Sequence, residues 1–317
     1  MKSATKAKAE KRSFAATVKK QSALYIMLIP GILYLILFNY LPMFGMILSF
    51  KKINFRDGIL GSAWCGLDNF RYALSSPSLI TALKNTLLYN IVFLFIGMVL
   101  SILLAIMLDL IWGKLSKKVY QTIMIMPHFL SWVIVSYLVF GFLGIESGIM
   151  NNTVLPFLGM DKINWYMESK YWPIILIIVY FWKSWGYSSI IYTSALSGVD
   201  VQLYEAADID GATISQKLWN ITLPAIKPII SMMIILKVGA ILSTDMGLFY
   251  QIPLNTPQLY NTTNVVSTYT YNLMTGSGAN TLGMASATSM LNSLVGFVLI
   301  IISNKIVKKL DSDGGIF

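Results

Sequence analysis

Six stretches of this chain are apolar around the whole helix circumference, with polar connections between them. They cover approximately residues 23–48, 81–109, 119–143, 172–195, 225–246 and 282–304. At 1.5 Å per residue, about 20 residues cross ~30 Å of hydrocarbon. The pattern therefore predicts an all-α membrane protein with about six transmembrane helices. Pro30 and Pro42 fall in the first stretch. Their missing N–H groups and ring clashes predict a kink or an early end there.

The connection before the fifth stretch has a structure of its own. Tyr204 to Pro228 reads YEAADIDGATISQKLWNITLPAIKP and holds three carboxylates. Asp200 suits the N-cap of a short helix over about 201–208, because its carboxylate accepts unpaired N–H groups of the first turn. Gly211 is free to take the left-handed conformation that stops a helix. Thr213 and Gln216 have capping-box spacing and predict a second helix, on which Ile214, Leu218 and Ile221 form one stripe. Pro224 and Pro228 mark the return to the membrane. The product is a helix–turn–helix knob presenting Glu205, Ala206 and Ala207.

Charge fixes which side the knob occupies. The chain has 24 Lys and Arg against 14 Asp and Glu, and only 12% of its residues are charged. Soluble proteins carry roughly a quarter. The cations are not spread over a face, as nucleic-acid binding requires; Lys2, Lys6, Lys8, Lys11, Arg12, Lys19 and Lys20 crowd the start, and most others flank apolar runs. With the N-terminus inside, fifteen cations fall in cytoplasmic segments and six in outer loops, so both termini and the knob are expected to be cytoplasmic. The expected organisation is a basic tail over 1–22, a membrane domain over 23–305 carrying the loop 197–224, and a cytoplasmic tail over 306–317. The first apolar run is long for a signal peptide and reads as an uncleaved membrane helix. One cysteine, Cys65, excludes an internal disulfide, and one histidine, His128, argues against a zinc centre. No G-x-x-x-x-G-K-[ST] loop is present to cradle ATP.

The knob also carries a specific spacing: Glu205-Ala206-Ala207, three residues, Gly211, nine residues, then Ile221-Thr222-Leu223-Pro224. This EAA-x3-G-x9-I-x-LP pattern closely resembles the EAA loop of permease subunits of bacterial ATP-binding-cassette importers. The stretches LIPGILYLILFNYLPMFGMILSF, MPHFLSW (126–132) and FWKSWGYSSIIYTSALSGVD (181–200) look like the carbohydrate branch, MalF-like type I importers, and most of all the LplB-like permeases of oligosaccharides and polysaccharide fragments. The resemblance implies that Glu205, Ala206, Ala207, Asp210, Gly211, Leu218, Ile221, Leu223 and Pro224 couple to a cytoplasmic ATPase. It implies ATP and Mg on that partner and no cofactor on this chain. It also implies a second permease chain, usually different, an extracellular solute-binding protein, and residence in the bacterial cytoplasmic membrane with transport by alternating access. Nothing in it implies an enzyme.

Ionisable residues inside a membrane are costly and are functional candidates. Lys183 and Lys237 fall near the middle of the fourth and fifth stretches, with Asp245 nearer the outer end of the fifth. Each belongs either to a polar saccharide path or to local carbonyl pairing and snorkelling. Two mid-span lysines hint at an acidic sugar. Tyr180, Trp182 and Trp185 offer ring faces to sugars or to a packed helix. Trp172 reads as an interfacial anchor, His128 as a hydrogen-bonding path residue, and Gly283 with Ala287 as a close helix contact. The outer loop 247–281 lacks Lys and Arg and suits either a delivery protein or plain solvation. Competing readings remain: a stand-alone secondary transporter, although the spans lack an acidic pair; an intramembrane enzyme, although no nucleophile and base converge; and an importer subunit for a non-sugar solute.

Overall fold

The computed structural model describes residues 21–54, 56–111, 113–276 and 280–310. The basic tail and the last residues lie outside these, as does their expected placement. Helix α1 spans Ser22–Leu35 and extends through irregular helical turns to Phe50. A two-stranded ribbon pairs Lys51–Lys52 with Ala63–Trp64, and α2 (Asp68–Ser75) follows. The membrane body continues with α3 (Pro77–Asp109), α4 (Lys114–Ile125), α5 (Trp132–Leu143) and α6 (Trp172–Leu196). The knob comprises α7 (Val201–Ile209) and α8 (Ile214–Lys217). The longer helices that follow are α9 (Leu223–Gly239), α10 (Val266–Thr275) and α11 (Thr281–Leu310).

Among the described residues, five helical stretches are long and apolar enough to cross a membrane: Ser22–Phe50, Pro77–Asp109, Ser169–Leu196, Ile214–Gly239 and Thr281–Ile306. The sequence pattern predicted a continuous third span over 119–143, but the chain breaks there. α4 ends in a 3-10 turn over Met126–Phe129, and α5 leaves at 94° to it. Pro127 opens that turn, Leu130 is extended, and the Ser131 hydroxyl accepts from the Ile134 N–H to start α5. The fifth span also differs: helix α9 stops at Gly239, so Asp245 sits on irregular backbone beyond it. Below, α8 runs into α9 without interruption, and Pro224 and Pro228 lie within that helix.

Proline shapes these helices in a regular way. The four π turns among the described residues are Ile36–Tyr40, Met150–Val154, Leu218–Thr222 and Gly247–Gln251. Each ends two residues before a proline: Pro42, Pro156, Pro224 and Pro253. A proline has no N–H for the i−4 carbonyl and its ring crowds that oxygen. A wider turn relieves the clash and lets the helix continue. The first span therefore continues to Phe50 without the expected early end.

The main core joins Tyr89 and Phe93 of α3, Val135 of α5 and Trp172, Leu176 and Phe181 of α6. Leu248, Phe249, Ile252, Leu259 and Val265 complete it. The stretch 247–276, expected as an outer loop, is therefore largely built into the core. Asn85 of α3 donates to the carbonyls of Asn261 and Asn264, the Tyr89 hydroxyl to that of Thr262, and the Val266 N–H donates to Thr86. Irregular backbone can be buried where protein satisfies its polar groups in this way. Trp172 also departs from its expected interfacial role. It is fully buried, and its ring N–H donates to the Trp165 carbonyl at 2.7 Å. Gly283 does make a close contact, since any Cβ there would crowd Asn69, Asn280 and the Lys51 carbonyl.

Candidate functional site

A cavity of about 340 Å³ opens between α3, α6, the end of α9 and the segment after it. Four of the residues singled out from sequence meet on its wall: Tyr180, Lys237, Asp245 and His128. The Tyr180 ring stacks on Phe93 with centroids 3.7 Å apart, which makes a flat aromatic wall. Lys237, in the last turn of α9, is half-buried and has no hydrogen bond or ion pair among the described residues. Asp245 is held in place: the Trp132 ring N–H and the Gly247 backbone N–H each donate to a carboxylate oxygen at 2.8 Å. The cavity thus contains one fixed anion and one unengaged cation. His128 presents its ring rather than the expected hydrogen bond, stacking on Tyr187 with centroids 4.0 Å apart.

Lys183 does a different job. It is only 7% exposed and lies under the break between α4 and α5. Its ammonium donates to the carbonyls of Leu130 at 2.6 Å and His128 at 2.7 Å, with Pro127 at 3.5 Å. The Pro127 carbonyl also accepts from the Leu130 N–H, whereas those of His128 and Leu130 sit at the break, and an ammonium has three donors to offer. The same nitrogen lies 5.0 Å from the Trp132 ring centre. Lys183 therefore supports the wall from behind and does not line the cavity. Trp185 borders a small adjoining recess with Phe93, Tyr180 and Lys237, whereas Trp182 lies outside both spaces.

Several wall residues were not singled out from sequence: Asn90, Ser184, Ser188 and Ser243. Asn90 had a readable signal, being an amide inside a long apolar run, which demands a partner. That partner is the unwound end of α9, where its side chain donates to the carbonyls of Ile241 at 2.7 Å and Ser243 at 3.1 Å. The serines gave no such signal, because a serine in a membrane helix can satisfy itself on the preceding turn, as Ser184 does on the Tyr180 carbonyl.

At the opposite end of α9 the knob follows its local chemistry. Asp200 accepts from the Gln202 N–H, Gly211 has φ +72°, and Thr213 with Gln216 forms the reciprocal capping box. The Tyr204 hydroxyl meets that of Thr222 at 3.0 Å, and Lys217 pairs with Asp208, tying α7 to the long helix. Glu205, Ala206 and Asp210 are exposed and Ala207 is half-buried; Glu205 has no partner among the described residues. Around them Val201, Leu203, Ile209, Ile214 and Trp219 expose apolar surface, Ile209 at 87%. Ile221 is half-buried. Leu218 lines a cavity of about 180 Å³ with Ile106 and Leu196, and Leu223 packs against the Tyr192, Leu196 and Ile226 cluster. Leu218 and Leu223 thus anchor the knob, while the outward surface belongs to α7, Ile214 and Trp219.

Residues 97–312 match the family described as binding-protein-dependent transport system inner membrane component. The chain is 36% identical over 300 residues to the polygalacturonan/rhamnogalacturonan transport system permease protein YteP of Bacillus subtilis (strain 168), covering 93% of this chain and 90% of the relative. It is 33% identical to protein LplB of the same organism, covering 95% and 93%. Among solved structures it is similar to a chain of a bacterial ABC transporter involved in the import of the acidic polysaccharide alginate. The TM-score is 0.83 at 33% identity, with 93% of this chain and 98% of that chain covered. A second structure of similar fit, TM-score 0.83 at 32% identity, is an alginate transporter in complex with an alginate pentasaccharide-bound periplasmic protein, covering 94% and 98%.

Proposed function

The chain belongs to the binding-protein-dependent transport system inner membrane components, and from that premise we propose that it is the permease subunit of an ATP-driven importer of acidic oligosaccharides. Lys237 carries the substrate reading. An ammonium without a partner, half-buried beside the Phe93–Tyr180 stack, matches a saccharide that bears carboxylates and apolar ring faces. The names of its relatives point the same way, since polygalacturonan and alginate are polymers of acidic sugars.

In this reading the knob is cytoplasmic and both termini lie on that side, in a bacterial cytoplasmic membrane. Glu205, Ala206, Ala207, Asp210 and Gly211 face a separate ATPase, which holds ATP and Mg. The exposed apolar residues of α7 seat in a cleft of that partner, and Glu205 meets a cation there. Leu218, Ile221, Leu223 and Pro224 carry the movement into α9, whose far end bears Lys237 and leads to Asp245. ATPase and substrate are thus joined by one helix, Ile214–Gly239. A second permease chain completes the path, and an extracellular solute-binding protein delivers the saccharide. Transport follows from each ligand favouring the conformation it binds better.

The test uses the complete importer in vesicles, supplied with saturating loaded binding protein. Replacing Lys237→Gln removes one charge-assisted hydrogen bond, worth about 1.5–3 kcal/mol. Uptake of a uronate oligosaccharide should then fall about tenfold or more, while uptake of a neutral oligosaccharide changes less than about twofold. Equal loss for both, or no loss for the uronate, removes the acidic assignment.

A further inference from the structure

A second cavity, also of about 340 Å³, lies on the other side of the unwound segment after α9, between it, α10 and α11. Ser243 borders both spaces, so a single stretch of backbone divides them. Their chemistry differs sharply. The first holds Lys237, Asp245 and His128, whereas the second has no charged side chain on its wall. Its polar lining is Thr244, Ser267, Thr270, Ser289, Asn292 and Ser293, with the Tyr271 ring and apolar Val266 and Met274 beside them. Thr244 and Ser267 satisfy one another at 2.7 Å. The Thr270 hydroxyl and the Asn292 side-chain oxygen are buried and have no partner among the described residues. Buried polar atoms are seldom left unpaired, and both of these belong to residues that line one cavity.

We infer that this charge-free cavity is a second saccharide subsite, one that takes a neutral sugar ring. Hydroxyls and an amide match the donors and acceptors of ring hydroxyls, and Tyr271 offers an edge or face to the apolar side of the ring. With no cation on its wall, the site gives a carboxylate nothing to replace its lost hydration. The two cavities together fit an oligosaccharide in which acidic and neutral rings adjoin, so the inference rests on the reading of the first cavity as a saccharide site.

The experiment uses the complete importer in vesicles, with Thr270→Val and Asn292→Leu made separately. The probes are a tetrasaccharide of alternating uronate and neutral rings and an all-uronate tetrasaccharide. Each variant should raise the half-saturating concentration for the alternating probe about three- to tenfold and leave the all-uronate probe within about twofold. Thermal stability should not fall, because the atoms removed have no bond to lose. Unchanged uptake of both probes overturns the subsite, as does equal loss of both. Loss of the second permease from the purified variants also overturns it, because the cavity then belongs to a subunit interface. If the wild-type importer carries neither probe, the acidic-oligosaccharide reading fails and this subsite falls with it. Unaltered variants in a working importer count against the subsite alone.

Discussion

Lys183→Met tests whether the fourth span's lysine supports the fold or contacts the cargo. Methionine keeps a long flexible side chain and removes the ammonium. The carbonyls of His128 and Leu130 then lose two close bonds to a charged donor, at about 1.5–3 kcal/mol each. Removing a buried charge returns part of this, because desolvating an ion costs several kcal/mol. The expected net destabilisation is about 2–3 kcal/mol. Domains of a few hundred residues shift by about 2–4 °C per kcal/mol, so the midpoint should fall by roughly 5–10 °C. Thermal unfolding of the detergent-purified importer, followed by light scattering, reads this directly. Uptake by the surviving fraction should fall only modestly, since Lys183 faces the break and not the cavity. A variant as stable as wild type that no longer transports would refute the argument and make Lys183 a substrate group.

Two further changes probe the other ends of the molecule. Glu205→Arg reverses an exposed, unpartnered charge on α7; the protein should insert normally while substrate-stimulated ATP hydrolysis drops to its basal rate, and normal stimulation would remove Glu205 from the coupling surface. Gly186→Ala directs a methyl at the Met124 carbonyl oxygen where α6 passes the end of α4, so it should cost about 1–3 kcal/mol and lower the amount of folded protein recovered from membranes.

The knob was legible in the sequence almost residue by residue, because its determinants are local. A carboxylate at the N-cap, a left-handed glycine and a capping box act within a few positions of themselves. The spans 22–50, 77–109, 169–196 and 281–306 were legible because continuous apolarity is enough to specify them. The broken third span was not. Pro127 is visible in the sequence, but the break is held by a lysine more than fifty positions away, and the run around it is as apolar as an unbroken helix. The stretch 247–276 was misread for a related reason. Its buried residues follow no period, since their backbone groups pair with Asn85, Thr86 and Tyr89 of α3. Tyr180, Lys237, Asp245 and His128, singled out by charge and ring chemistry, meet on one cavity wall, and Trp182 shows that an aromatic ring alone does not reveal which way it points.

The π turn at Leu218–Thr222 has a geometrical consequence for the whole subunit. Such a turn holds one residue more than an α turn, and each residue advances a helix by about 100°. Everything beyond Pro224 is therefore set at a different rotational phase, relative to the knob, from that of an unbroken α-helix. The direction in which Lys237 points, for a given position of the knob, is in this sense counted out along the chain by the proline. Two surfaces at opposite ends of one helix are kept in register without touching each other.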